Sequence, residues 1–152
     1  TLSLHDALPI LENEMVFSYL MEQVQGKNVS LLCTSGQPRY AALKLISLIV
    51  QSGIPIYYSG GLDPDGIGIA DRLWQRFGNR IQFFGMSPED YRNSLSKEVF
   101  GENGRKKLEH IWHPLLRETA ELVRKTGKAG YQENTLKELS EKLVGCDQNQ
   151  NL

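Results

Sequence analysis

The sequence predicts a three-layer α/β domain: a parallel sheet covered by helices on both faces, followed by C-terminal helices. Two observations carry this. Short apolar runs at residues 29–33 (VSLLC), 54–58 (IPIYY) and 80–84 (RIQFF) alternate with stretches of helical periodicity. These runs are apolar at successive positions rather than only at every second residue, which is the pattern of strands buried on both faces of a parallel sheet.

The elements follow in order. Residues 1–10 (TLSLHDALPI) resemble a translated sequencing-adapter sequence, and the chain opens on Thr1 rather than Met. The expectation is therefore a fragment with a non-native leader, excluded from fold reasoning although the first strand falls just there. Met15, Val16, Tyr19, Leu20 and Val24 have helical spacing, and Gly26 closes that helix. Strand 29–33 leads into the turn Thr34-Ser35-Gly36-Gln37-Pro38, with Pro38 suited to a first helical position. Residues 39–51 then give a helix with a broad buried face, ended by Gly53. After strand 54–58 comes the loop Ser59-Gly60-Gly61-Leu62-Asp63-Pro64-Asp65-Gly66, then a helix from about 67 to 77 closed by Gly78. Strand 80–84 precedes a short helix capped by Ser87 with Pro88 at its first position. One long amphipathic helix is expected over 105–125, kinked or split at Pro114, and a last helix over 134–144. The predicted organisation is a leader at 1–10, an α/β core at 11–100, a helical extension at 101–146 and a loose tail at 147–152.

The 152 residues suit one domain, and 40% hydrophobic with 23% charged residues is the composition of a globular chain. A net charge of −1 lacks the basic excess of a domain that grips nucleic acid unaided. Cys33 and Cys146 have no metal-ligand spacing; Cys33 reads as a core residue and a reducing cytoplasm is the default. No apolar stretch is long enough to span a bilayer, and no secretory signal is visible.

In parallel sheets, ligands bind in the loops beyond the carboxyl ends of the strands. Asp63 and Asp65, flanking Pro64 in a glycine-rich loop with Gly60, Gly61 and Gly66, are hard oxygen donors suited to Mg²⁺. The same residues also make an ordinary strand-to-helix turn. The 34–38 turn places Ser35, Gly36 and Gln37, with Arg39 beyond, at a helix N-terminus that suits phosphate or DNA. Glu12, in Glu12-Asn13-Glu14, stands at the end of the presumed first strand, where acidic residues also suit a helix dipole. His110 and His113 fit a helix-packing role, and Arg105-Lys106-Lys107 a solvated helix segment or a phosphate contact. The glycines lack dinucleotide-binding spacing. Each signal is weak alone, but adjacent strand ends would bring Glu12, the 34–38 turn and Asp63 to one place.

The combination LENEMVF (11–17), LLCTSGQPRYAALKLI (31–46), YYSGGLDPDGIGIADRL (57–73), FFGMSPEDY (83–91) and GYQE (130–133) resembles the Toprim domain of the topoisomerase VI A subunit type. More closely it resembles the C-terminal domain of JetD subunits of bacterial Wadjet plasmid-defence systems. That resemblance implies a Toprim-like domain that breaks DNA phosphodiester bonds with Mg²⁺ or Mn²⁺. It also implies Glu12 and Asp63 as catalytic and metal residues, with Asp65 as a further metal ligand. Implied partners are DNA, subunits of an SMC-like complex, an N-terminal part of the same protein, and a second copy in a homodimer; no membrane is implied. One departure matters: the family loop reads G-D-x-D-P-x-G, so Asp63 matches its second aspartate and Gly61 its first. Asp63-Pro64-Asp65 is itself a D-x-D, so substitution by Asp65 stays open. The rival reading is a catalytically inactive Toprim-like module for DNA recognition or subunit docking. A third is a metal-independent phosphate-binding domain built on the 34–38 turn.

Overall fold

The computed structural model of the chain describes residues 7–144. Four parallel strands, β1 (Leu8–Leu11), β2 (Leu32–Cys33), β3 (Ile56–Ser59) and β4 (Ile81–Phe83), form one sheet in the order β2-β1-β3-β4. Helices α1 (Glu14–Gln23), α2 (Tyr40–Gln51) and α3 (Pro64–Phe77) follow the first three strands. After β4 come α4 (Pro88–Ser94), β5 (Leu95–Val99), α5 (Glu102–Lys107), α6 (Pro114–Thr126), β6 (Lys128–Gly130) and α7 (Leu136–Val144).

Successive side chains on a strand point to opposite faces, and the core divides accordingly. Ile10, Ile56, Tyr58 and Ile81 pack with Ile46 of α2, Ile67, Ala70 and Leu73 of α3, and Leu116, Ala120 and Val123 of α6. On the other face Leu11 packs with Val16 and Leu20 of α1 and with Leu139 and Leu143 of α7. The sheet is thus the middle of three layers, and the chain is the expected Rossmann-like α/β domain. Among the described residues no helix is long and apolar enough to cross a membrane.

Several elements differ from the sequence expectation. Residues 8–10, set aside with the leader, form most of a central strand. The run at 29–33 yields only two strand residues, because β2 pairs with β1 through Leu32 and Cys33 alone at the sheet edge. Helix α2 accordingly has less beneath it than its sequence suggests. Of its residues only Ile46 is buried, while Leu45 and Leu48 are 46% and 55% exposed. Pro38 lies before the cap residue Arg39 rather than at the first helical position. Cys33 is partly exposed rather than a core residue. Cys146 and the tail at 147–152 lie outside the described residues.

The segment at 105–125 is split, not continuous. A 3-10 turn at Leu108–His110 ends the first part, and α6 restarts at Pro114 with His113 as its cap. The break is fixed from a distance by Asp71 of α3. Its buried carboxylate accepts the N–H groups of Trp112 (3.1 Å) and His113 (2.8 Å) and the Gln75 amide (2.8 Å). Pro114 has no N–H to lose and a φ suited to helix N1. His113 also lies edge-on to Trp74 and Phe83, with centroids 5.0 and 4.9 Å apart, whereas His110 is exposed. The last helix begins at Leu136, after a 3-10 turn at Gln132–Thr135. The antiparallel pair β5-β6 was not expected, and it is anchored to the loop after β3 by paired main-chain bonds between Leu62 and Gly130 (3.0 and 2.9 Å).

A buried carboxylate holding three donors makes charge-assisted bonds that cannot be re-formed with water. Asp71→Ala is expected to cost about 3 kcal/mol in urea unfolding, and Asp71→Asn clearly less. A cost for Asp71→Ala within the range of a neutral surface change, about 0.5 kcal/mol, would contradict this account of the break.

Candidate functional site

The carboxyl ends of β1, β2 and β3 are tied together through the main chain around Glu12. The Glu12 N–H donates to Ser59 O (3.0 Å), and the Glu12 carbonyl accepts from Gly36 N–H (2.9 Å). Thr34 N–H donates to Leu11 O (2.9 Å). Asn13 caps α1 by accepting from Met15 N–H (2.8 Å) and Val16 N–H (3.2 Å), so the chain turns into helix directly after Glu12.

The half-buried Glu12 side chain reaches across to the loop after β3, where Oε2 accepts from Gly61 N–H at 3.2 Å. Asp63 is the N-cap of α3: Oδ1 accepts from Gly66 N–H at 2.7 Å, leaving Oδ2 on the Gly61 side. A Cβ placed on Gly61 would sit 3.5 Å from Asp63 Oδ2 and 3.8 Å from Glu12 Oε2. The missing side chain of Gly61 would therefore project between the two carboxylates. Gly66 is fixed by close approach, since a Cβ there would lie 2.2 Å from Gly61 O.

The two carboxylates face each other without a cation. Among the described residues neither takes part in an ion pair. Burial raises the pKa of Glu12, and the charges of Asp63 and Glu133 raise it further against the opposing Gly61 N–H. Burial likewise raises that of Asp63, with Asp65 and Glu98 adding like charge and the N–H groups of Gly66 and Asp65 opposing. The neighbouring Tyr58 ring would be 3.4 Å from a Cβ on Gly60. Its hydroxyl is buried, and burial followed by the Glu12 charge pushes its pKa well above the ordinary value, against a contact with the Thr34 side chain.

Asp65 does not join Glu12 and Asp63. Two residues along a helix is a rotation of about 200°, and Asp65 instead pairs with Lys107 at 2.7 Å on the outside of α3. The 34–38 turn comes close through its main chain, and several of its donors are engaged. Gly36 N–H bonds Glu12 O, the Ser35 hydroxyl donates to Glu14, and Thr34 Oγ1 donates to Gly36 O (2.8 Å). Gln37 accepts from Arg72 (3.3 Å), and Arg39 is exposed at the start of α2.

Two acids close to the pair were not singled out as site residues by the sequence. Glu133 is held by Asn13 Nδ2 at 2.9 Å, and Glu98 accepts from the Tyr131 hydroxyl. Glu133 and Tyr131 lie in the GYQE stretch, which gave a signal as a motif but not as a site; Glu98 on the exposed β5 gave none. Asp71 was equally silent.

Hard oxygen donors from two side chains match the way Mg²⁺ is commonly held, through one or two carboxylates with waters and substrate phosphate. Among the described residues no group of three or more His, Cys, Asp or Glu side chains could hold a metal ion. The residues therefore fit an open two-carboxylate site, and not a closed cage.

A family model described as "Protein of unknown function C-terminus (DUF2399)" matches residues 3–143. None of the curated proteins matches the sequence.

A carboxylate whose folded pKa is raised costs stability above that pKa, and the cost vanishes below the unfolded value. Glu12→Gln is therefore expected to raise the melting temperature of the metal-free protein at pH 7.5, with the gap to the parent closing towards pH 4. A lower melting temperature at pH 7.5 would contradict the unbalanced charge. Gly66→Ala, by contrast, should cost about 3 kcal/mol or more in the same melts, because backbone must move.

Proposed function

Because the chain belongs to the family described as "Protein of unknown function C-terminus (DUF2399)", we propose that it is a Toprim-type domain of a Mg²⁺-dependent enzyme that cleaves DNA phosphodiester bonds, of the JetD kind that serves in plasmid defence. One observation carries the reading: Glu12 and Asp63 converge on Gly61 at the carboxyl ends of two adjacent central strands, without a counter-charge. A site of that kind is unfavourable on its own and becomes favourable when a divalent cation enters. Paired carboxylates with raised pKa values at the strand ends of a parallel sheet are candidates for a functional site.

Each residue has a distinct part. Asp63 is held rigidly, since its Oδ1 is fixed by the α3 cap while Oδ2 remains as a ligand. Glu12, whose burial raises its pKa, is placed to exchange a proton as well as to bind metal. Gly60 and Gly61 keep the approach open for a phosphate group. The metal, when bound, would supply charge stabilisation at the phosphoryl oxygens. With a net charge of −1, the 152 residues rely on other polypeptide for part of their hold on DNA, which suits work beside an SMC-like complex or a preceding domain in the cytoplasm.

A second reading has its own observation. Gly61 offers no carboxylate where the family pattern has one, and Asp65 points to Lys107 instead of replacing it. An inactive Toprim-like module for DNA recognition or subunit docking follows if two carboxylates hold metal too weakly.

Calorimetric titration with Mn²⁺ and Mg²⁺ separates the readings. The active-site reading expects the parent to bind one ion, Glu12→Gln to lose it, and Gly61→Asp to bind at least tenfold tighter. Binding by Gly61→Asp alone supports the docking module. If no variant binds, both the metal reading and the Toprim assignment fail.

A further inference from the structure

Two adjoining hollows of about 400 and 350 Å³ open along the outside of α3 and share Arg72 and Gln75. The first runs between α2 and α3 and takes in Gln37 and Arg76. The second begins at Pro64 and Asp65, the residues next to Asp63, and extends to Lys107 and His110. They meet at Arg72 and Gln75 to make one groove, which reaches the first turn of α3, the turn that Asp63 caps.

The free charge of this groove is positive. Arg72 and Arg76 are exposed, and among the described residues neither has an ion-pair partner. Arg72 meets only the neutral Gln37 at 3.3 Å, and Arg76 lies over the Phe77 ring at 5.7 Å. The two acids along the groove are already occupied. Asp65 is paired with Lys107, and Asp71 is buried with main-chain and amide donors on its oxygens.

Arg72 also leans towards the site. A Cβ on Gly68 would be 3.1 Å from Arg72 Nη1, so the guanidinium lies back over the preceding turn, the direction helical side chains take. Gly68 leaves room for it there. From Asp63 to Gly68 is about 7.5 Å along the helix axis, close to two phosphate steps of one DNA strand at about 3.4 Å each. An open, elongated cationic groove suits a linear polyanion better than a compact ligand.

We infer that this groove carries the phosphate backbone of the DNA strand whose scissile bond lies at Glu12 and Asp63, with Arg72 and Arg76 as successive phosphate contacts. The inference rests on the DNA-cleavage reading above and adds the path of the strand. A guanidinium binds phosphate through paired N–H donors, so each arginine contributes charge and orientation together.

The test is fluorescence anisotropy of the 152-residue chain with a labelled 20-nucleotide DNA, single-stranded and duplex, in EDTA across 20–200 mM salt. Arg72→Ala/Arg76→Ala should weaken binding at least tenfold and reduce the slope of log K against log salt by about two. Arg92→Ala/Arg117→Ala, which removes the same charge from a different face, should bind like the parent. Circular dichroism melts of all variants keep lost binding apart from lost folding. Equal weakening by both double variants, an unchanged salt slope, or no binding by the parent at 20 mM salt would overturn the inference. Because metal is absent throughout, failure of this groove and failure of the Mn²⁺ titration are read separately.

Discussion

The pairing of β1 with β3, from Leu8↔Ile56 to Leu11↔Ser59, is the constraint on which the rest depends. It brings two adjacent strands to an end at the same level, so that Glu12 and the Gly60–Gly61 turn emerge side by side. The register is held by burial on both faces. Ile10 belongs to one core cluster and Leu11 to the other, both almost wholly buried. A slip of one residue would exchange these faces. Two mispacked side chains of this size would forfeit roughly 3–6 kcal/mol of burial, comparable with the whole stability of a small domain. The site's geometry is in this sense a consequence of the core.

What the core positions, the site then leaves unbalanced. Other acids of the fold are compensated: Asp71 has three donors, Asp90 has the Ser87 cap and Lys142, and Asp65 has Lys107. Glu12 instead has the Gly61 N–H and Asp63 the N–H groups at the start of α3, with like charges around both. The contrast between compensated structural acids and an uncompensated pair is the physical argument for function. The outer face of α3 carries the complementary feature, since its free charges are arginines.

Much of this was legible in the sequence, and for identifiable reasons. Strand β3 showed as an uninterrupted apolar run because both faces of a parallel sheet are covered, while β4, at the sheet edge, kept an exposed Gln82 within its run. Helix α4 was announced by Ser87 and Pro88 because capping is local chemistry. What escaped was decided at long range. The split before α6 depends on Asp71, some forty residues earlier. The exposure of α2 depends on how short its neighbouring edge strand is, which periodicity within the helix cannot reveal. Strands β5 and β6 are short and mostly polar or small, without a buried run to mark them. Within the site, Glu12, Asp63 and Gly61 were marked by their positions at strand ends. Asp65 was misleading because spacing in a loop does not give side-chain direction once the loop becomes the first turn of a helix. Glu133 and Glu98 needed the tertiary fold to bring them near.

The most direct test of the central claim is a crystal structure of the chain grown or soaked with Mn²⁺, located by its anomalous scattering. The account predicts one site beside Gly61, in contact with both the Glu12 carboxylate and Asp63 Oδ2. Manganese found only elsewhere, or Glu12 and Asp63 turned away from each other towards protein donors, would contradict it.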